Sequence, residues 1–217
     1  MPELPDPRCR VYESDAEILA GELERLDALL RLRVAQLRRT FVDDPAYHGV
    51  VVSDREVDAL LDRGVAAPPW ASVAIDDELA ALADAFADRS ELHEARVALT
   101  LAGGPPLRLL GLAAGCGLGA LDRLVLTLAI APALDLRYER VIGWLHDDAS
   151  RRRPSVGLVV DLLAADLGDR LACQAELLGE DAPLLAAGAL ELLDDPDHPS
   201  SPLRRTLRPR PGVIAWL

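Results

Sequence analysis

The chain contains no lysine and no asparagine, so all 23 basic side chains among its 217 residues are arginine. The first absence removes the phosphate-binding lysine of a P-loop, Schiff-base chemistry and any lysine general base. Aromatic residues supply only 4% of the chain, and strand-favouring side chains are correspondingly few. Cys9, Cys116 and Cys173 are odd in number, widely spaced and without a CxxC pair, which argues against a disulfide framework or a structural zinc site. Positive charge is in deficit: 36 acidic side chains leave a net charge of −13, the wrong sign for a phosphate backbone. The start, Met1-Pro2-Glu3-Leu4-Pro5-Asp6-Pro7, has neither the basic nor the apolar region of a secretory signal. The longest uncharged stretch, residues 109–121, is 13 residues with four glycines, against the roughly 20 apolar residues a bilayer span needs. The cytoplasm is the expected compartment.

What fills the chain instead is leucine, 42 residues, and alanine, 34. Both are strong helix formers, and an apolar content of 50% is ample for a core and excludes wholesale disorder. The length fits one large domain or two small ones.

Ser14-Asp15-Ala16-Glu17 reads as a capping box. It opens a helix running to about residue 39, with Leu19, Leu23, Leu26, Leu30 and Leu37 as its apolar seam and Arg33 at the skipped position. Acids crowd its first half and arginines its second, the order the helix dipole favours at the ends. The favoured reading is a long helix packed on its own domain; the alternative is a coiled-coil seam for a partner, for which the heptads are few. Val50-Val51-Val52 reads as a short strand. Ser53-Asp54-Arg55-Glu56 repeats the capping pattern and opens a short helix closed by Gly64. Two helices are expected over 76–88 and 90–102. Residues 53–94 hold 11 acids and three arginines, a solvated acidic face or a dock for a basic partner. Gly103-Gly104-Pro105-Pro106 is the strongest punctuation and marks the expected domain boundary, with a helical region over 1–102 and a second domain over 103–217. Beyond it, helices are expected over 107–114, 118–131, 135–147, 155–166 and 168–178, with Pro132 and Pro154 as separators. Apolar runs at 190–193 and 203–207 around Asp194-Asp195-Pro196-Asp197-His198-Pro199-Ser200-Ser201-Pro202 read as a hairpin. Short helices followed by a β-hairpin are the parts of a winged helix. The expected fold is therefore mainly α: a long N-terminal helix and helical subdomain, then a winged helix with a small hairpin.

No motif declares a chemistry. Gly111, Gly115, Gly117 and Gly119 match neither GxxxxGK[ST] nor GxGxxG and read as an inter-helix turn with close backbone packing. His93-Glu94 lacks the second histidine of HExxH, since Val97 holds that place, leaving an ordinary surface histidine. His146-Asp147-Asp148 has no second ligand cluster and reads as a helix-terminal acidic pair. No GxSxG surrounds a serine. No catalytic, cofactor-binding or metal-binding residue is therefore expected, and no cofactor. The run Arg151-Arg152-Arg153, with Arg204, Arg205, Arg208 and Arg210, would be phosphate contacts in a DNA-binding winged helix. Against that, the candidate recognition helix over 155–166 is almost wholly apolar and its charges are all acidic. Pairing of the arginine run with Asp147 and Asp148 is the better expectation.

Residues 121–140, LDRLVLTLAIAPALDLRYER, continue through HDDASRRRPSVGL at 146–158. This resembles the region ahead of the ATPase module in a group of bacterial AAA-family ATPases that carry an N-terminal winged-helix domain and are frequently encoded beside phage-tail-like contractile injection systems. The family pattern is an acid–Arg start, a Leu-rich helix, "LApELDxRYER", then "DDxxRRRPT" and another Leu-rich helix. Residues 14–39, 47–58 and 203–209 are similar to the family's leading helix, its "GLyisdeEvd" segment and its closing "LsRpLrl". Departures are Ala133 for the preferred Glu, Gly143 inside a helix and Ser155 for Thr. The resemblance implies structural or partner-binding roles for Asp122, Arg123, Pro132, Asp135, Arg137, Tyr138, Glu139 and Arg140. It implies the same for Asp147, Asp148, Arg151, Arg152, Arg153 and Pro154.

The ATPase itself is what the resemblance lacks here, because no Walker motif is present. The ending Val213-Ile214-Ala215-Trp216-Leu217 is an amphipathic segment cut mid-stride, so the expectation is the N-terminal region of a longer protein or a coding sequence that lost its motor. The expected function is a non-catalytic adaptor region that recognises a protein partner, an injection-system component or its cargo, and couples it to a downstream AAA module, with neither nucleic acid nor membrane as partner. Two alternatives are a DNA-binding winged-helix regulator and a small hydrolase whose site is assembled only in space.

Overall fold

The computed structural model describes residues 8–40, 54–179 and 181–217; the strand expected at Val50-Val51-Val52 and the capping Ser53 lie outside them. Helix α1, Asp15–Thr40, starts as its sequence predicts. The Ser14 hydroxyl accepts from Glu17 N at 3.2 Å, and the Glu17 carboxylate reaches back to Glu13 N at 2.9 Å. Its leucine seam faces the chain's own core: Leu26, Leu30 and Leu37 are buried, and Leu19 and Leu23 pack against them. The self-packed reading is therefore the right one. Helix α2, Asp54–Asp62, follows.

The two helices expected over 76–102 are one, α3, Asp77–Gly103. Neither glycine nor proline interrupts it, and Ser90 is no breaker. Asp76 caps it by accepting from Leu79 N at 2.9 Å, and the same carboxylate takes Arg39 from the end of α1 at 2.8 Å. Gly104 N closes it on Thr100 O at 2.8 Å. A Cβ at Gly104 would stand 2.9 Å from the Thr100 backbone, so only glycine allows that closure, and Pro105-Pro106 prevents continuation.

Helix α4, Arg108–Cys116, ends at Gly117 in the left-handed conformation, φ 68°, and α5, Ala120–Leu134, begins three residues later. The glycine-rich stretch is thus an inter-helix turn. The close packing expected of it is not found, since a Cβ at Gly111, Gly115 or Gly117 would meet nothing within 4 Å. Pro132 does not separate helices: α5 runs through it to Leu134 with the ring buried, giving up the one hydrogen bond that an N–H at residue 132 would make to the carbonyl four residues back. Helix α6 is Arg137–Leu145.

The last third starts at Ser155, which bridges Thr206 antiparallel; Val156 N bonds Arg205 O and Leu207 N bonds Pro154 O, both at 2.9 Å. Then come α7, Val156–Leu163, α8, Leu167–Leu178, and α9, Pro183–Ala186. Strands β1, Leu190–Leu193, and β2, Thr206–Pro209, pair antiparallel with Leu190 opposite Pro209 and Leu193 opposite Thr206. The second strand starts three residues later than expected because residues 202–204 form a 3-10 turn. Helix α10, Pro211–Trp216, follows. Bridge, helix, turn, helix and hairpin occur in the order of a winged helix, and the fold is mainly α as expected.

A continuous apolar core runs across the Gly103–Pro106 punctuation. Ile18, Leu26 and Val97 from before it and Leu126, Ile130, Val159 and Leu207 from after it belong to a single cluster. Among the described residues no single helix is long and apolar enough to cross a membrane; α3 and α4 pass that test only together, and they meet at 86°.

Ser155 holds the winged-helix part at two levels, as the bridge residue and as the N-cap of α7, accepting from Leu158 N at 3.1 Å while only 4% exposed. Ser155→Ala is predicted to cost about 1–2 kcal/mol, read as a lower urea midpoint with an unchanged slope.

Candidate functional site

The densest polar chemistry lies between α1, α3 and α5. Successive turns of α1 bring Glu22 and Arg25 inward, and α3 brings His93 and Glu94 at the matching level. Glu22, wholly buried, places Oε1 2.9 Å from Arg123 Nε and 3.0 Å from His93 Nε2. The histidine contact makes no hydrogen bond. On the other side of the ring, Tyr12 OH is 2.7 Å from His93 Nδ1. Arg123 forks onto both oxygens of Glu94 at 2.6 Å, and Arg25 reaches Glu94 at 3.0 Å and Ala120 O at 3.3 Å. Arg96 stacks over the Tyr12 ring at 3.7 Å. Burial pushes the Glu22 carboxyl up, but His93 and Arg123 outweigh it and hold it below the usual range. Burial pushes the Tyr12 phenol up to about 12, with Arg96 opposing.

His93 is therefore not the surface histidine the sequence implied: it is 3% exposed. The short spacing to Glu94 directed attention to a metal motif, while its partners Glu22 and Tyr12 stand 71 and 81 residues away. Hydroxyl, imidazole and carboxylate stand next to one another, but the imidazole–carboxylate contact makes no hydrogen bond, so they form no acid–base relay, and all three are buried. Two surface depressions flank α4, of 230 Å³ and 480 Å³. Of the cluster's residues, only Arg123 lines either one. Among the described residues no three His, Cys, Asp or Glu side chains are grouped to hold a metal ion. Burial raises the Cys173 thiol to about 11, which keeps it protonated and unreactive.

The motif residues have the following places. Asp122 accepts from Gly119 N at 2.9 Å and caps α5; Arg123 is the buried fork just described. Asp135 follows Leu134 and accepts from Arg137 N at 2.9 Å. Asp27 of α1 receives the Tyr138 hydroxyl at 2.7 Å and Arg137 at 2.8 Å, with the Arg137 guanidinium stacked 4.7 Å above the Tyr138 ring. Glu139 meets Arg152 at 3.6 Å, while Arg140 and Arg153 are exposed. Asp147 turns the chain with φ 52°. Asp148 accepts from both N and Oγ of Ser150, and those bonds hold its carboxyl below the usual range. Arg151 reaches Asp148 at 3.4 Å, as anticipated for the run, but its shorter contact is with Asp195 across the hairpin loop. The Pro154 carbonyl accepts from Leu207 N at 2.9 Å. These residues are not gathered into one site: Arg123, Arg137, Tyr138 and Arg151 tie separate elements to one another, Asp122, Asp135 and Asp148 make local turn and cap bonds, and Arg140 and Arg153 are exposed.

One assignment changes. Residues 155–166 are not the outward helix of the helix–turn–helix: α7 is its inner helix, with Val156, Leu158, Val159, Val160 and Leu162 buried. The outward helix is α8, whose one basic residue, Arg170, is turned onto Asp161 of α7 at 2.5 Å. In the hairpin loop, Arg205 is held by Asp194 at 2.9 Å, and Arg204 and Arg151 converge on Asp195.

The family model for the winged helix domain, variant, matches residues 1–208. The chain belongs to that family. No curated protein and no solved structure matches it. The match to this winged helix domain variant extends from the first residue into β2, so it takes in α1 and α3 together with the hairpin.

Glu22 gives the winged helix domain variant its sharpest stability predictions. Glu22→Gln leaves Arg123 buried with one carboxylate fewer and is expected to cost on the order of 3 kcal/mol at neutral pH. Because the folded-state carboxyl is depressed, its contribution is present above the usual 4.5 and lost as pH falls through the folded value. The parent chain should therefore lose stability in acid more steeply than Glu22→Gln, measured by urea titrations across that range. Gly21→Ala would drive a Cβ into the Tyr12 hydroxyl and to 2.9 Å from His93 Nδ1. It should destabilise by about 1–3 kcal/mol, and in Tyr12→Phe/Gly21→Ala the added cost should shrink.

Proposed function

We propose that this winged helix domain variant is a non-catalytic adaptor region that recognises a protein partner in the cytoplasm. We further propose that it serves as the N-terminal part of an AAA-type ATPase engaged in assembly or cargo handling of a contractile injection system. The protein-binding half of the reading rests on one observation: five of the seven arginines expected to meet phosphate, Arg151, Arg152, Arg204, Arg205 and Arg208, meet carboxylates, and Arg153 and Arg210 are exposed. Arg151, Arg204 and Arg205 are taken by Asp194 and Asp195, and Arg170 by Asp161. Breaking such pairs to seat a polyanion costs the pairing energy before any gain, on a chain already at −13. The ATPase and injection-system half rests on the likeness of residues 121–158 described above. The absence of catalysis is supported by the sealed Tyr12–His93–Glu22 group, which no substrate reaches without unfolding α1 from α3.

The second reading, a DNA-binding regulator, is favoured by the fold itself and by the exposed Arg140, Arg152, Arg153 and Arg210. It requires duplex affinity that falls steeply with salt. The purified chain is expected to leave a labelled duplex unshifted at low ionic strength and to release no phosphate from ATP. A salt-dependent shift would replace the adaptor with the regulator, and ATP turnover that survives purification would defeat the non-catalytic reading.

A further inference from the structure

In a helix–turn–helix the second helix is the one presented to a ligand, and here that helix is α8. Its inward side carries Cys173 and Leu177, both buried. Its outward side carries Gly168, Leu171, Ala172 and Ala175, with Leu171 59% exposed. At 3.6 residues per turn these four positions form one strip, and Asp169 and Glu176, two turns apart, lie along one of its edges. Arg170, the helix's basic residue, points away to Asp161. The strip thus offers no side-chain donor for a phosphate or a base edge.

Resting on the protein-recognition reading above, we propose that this face docks an amphipathic helix of a partner protein, one with an apolar strip bordered by arginine or lysine. Three features on the face select that occupant. Glycine and alanine lower the surface around Leu171, so a second helix axis can approach to about 8–10 Å. Twelve residues give a seat about 18 Å long, the length of three to four turns of a partner. The acidic edge sets the sign of the partner's flanking charge, as complementary rims do at interfaces, and it excludes the phosphate backbone that the same face would otherwise meet.

The test uses a fluorescent synthetic helical peptide of about 20 residues, leucine and alanine on one face and arginine along the edge, titrated against the full chain by anisotropy. A second peptide has glutamate in place of the arginines, and duplex DNA is the third probe. The arginine-edged peptide is expected to bind at least about tenfold more tightly than the glutamate-edged one. Leu171→Asp should abolish binding, and Glu176→Arg should narrow or reverse the preference. Both side chains are exposed, and circular dichroism matching the parent chain separates lost docking from lost fold. Failure of the arginine-edged peptide to bind, or binding indifferent to both substitutions, overturns the assignment of α8. The second of these leaves protein recognition standing at another surface, whereas duplex DNA bound by the parent chain and lost in Leu171→Asp defeats both readings.

Discussion

A single carboxylate, Glu22, governs how the helices of this protein meet. It lies at full burial between α1, α3 and α5, facing His93 from one helix and Arg123 from another. An isolated ion there would be intolerable, so each helix must arrive with its own partner for the arrangement to form at all. Leucine faces pack in many registers at similar free energy, whereas a charge that needs two named partners accepts one. The ion cluster therefore fixes the register of α1 against α3 and α5, and the apolar core supplies most of the driving force. Gly21 shows how tight that register is, because the space a methyl would need is held by Tyr12 and His93.

The same division of labour recurs toward the C-terminus. Asp27 of α1 takes Arg137 and Tyr138 of α6, and Arg33 of α1 donates to Leu162 O at the end of α7 while its guanidinium lies 5.1 Å from the Trp70 ring. One long helix is thereby tied by polar contacts to successive elements of the second half. The hairpin loop is closed in the same way by Arg151 and Arg205 on Asp195 and Asp194. Arg151 and Arg205, which a DNA-binding protein of this shape could turn to phosphates, are spent here on holding the fold.

Much of the architecture was legible in the sequence because its signals are local. Ser14 and Glu17 marked the start of α1, Gly117 and Gly119 the turn between α4 and α5, and the loop at 194–202 the hairpin. Where the reading went astray, the deciding term was distant or tertiary. Residues 76–102 divide at Arg89 in the sequence reading although neither glycine nor proline interrupts them there, and Pro132 reads as a separator although α5 continues through it. His93 was placed at the surface because nothing near it in the chain announces Tyr12 or Glu22. Likewise residues 155–166 look like the recognition helix in the sequence, whereas five buried side chains make α7 the inner helix. The motif from Asp122 to Pro154 is visible in the sequence as a pattern, but only the fold separates its members into caps, bridges and exposed arginines.

The arginine-only composition has a consequence for the surface that the net charge understates. Arginine's planar fork suits bidentate and bridging contacts, and here Arg25, Arg39, Arg96, Arg123, Arg137 and Arg151 each meet carboxylates from other segments of the chain. Cations committed inside or between elements do little to offset acids outside. Asp77, Asp84, Asp88 and Glu91 along α3 and Glu176 on α8 remain exposed, so an approaching molecule meets a potential more negative than an even spread of 23 arginines would give. A surface of that kind repels polyanions at a distance and draws in basic segments. It makes the proposed protein recognition electrostatically coherent with the internal ion pairs that hold the fold together.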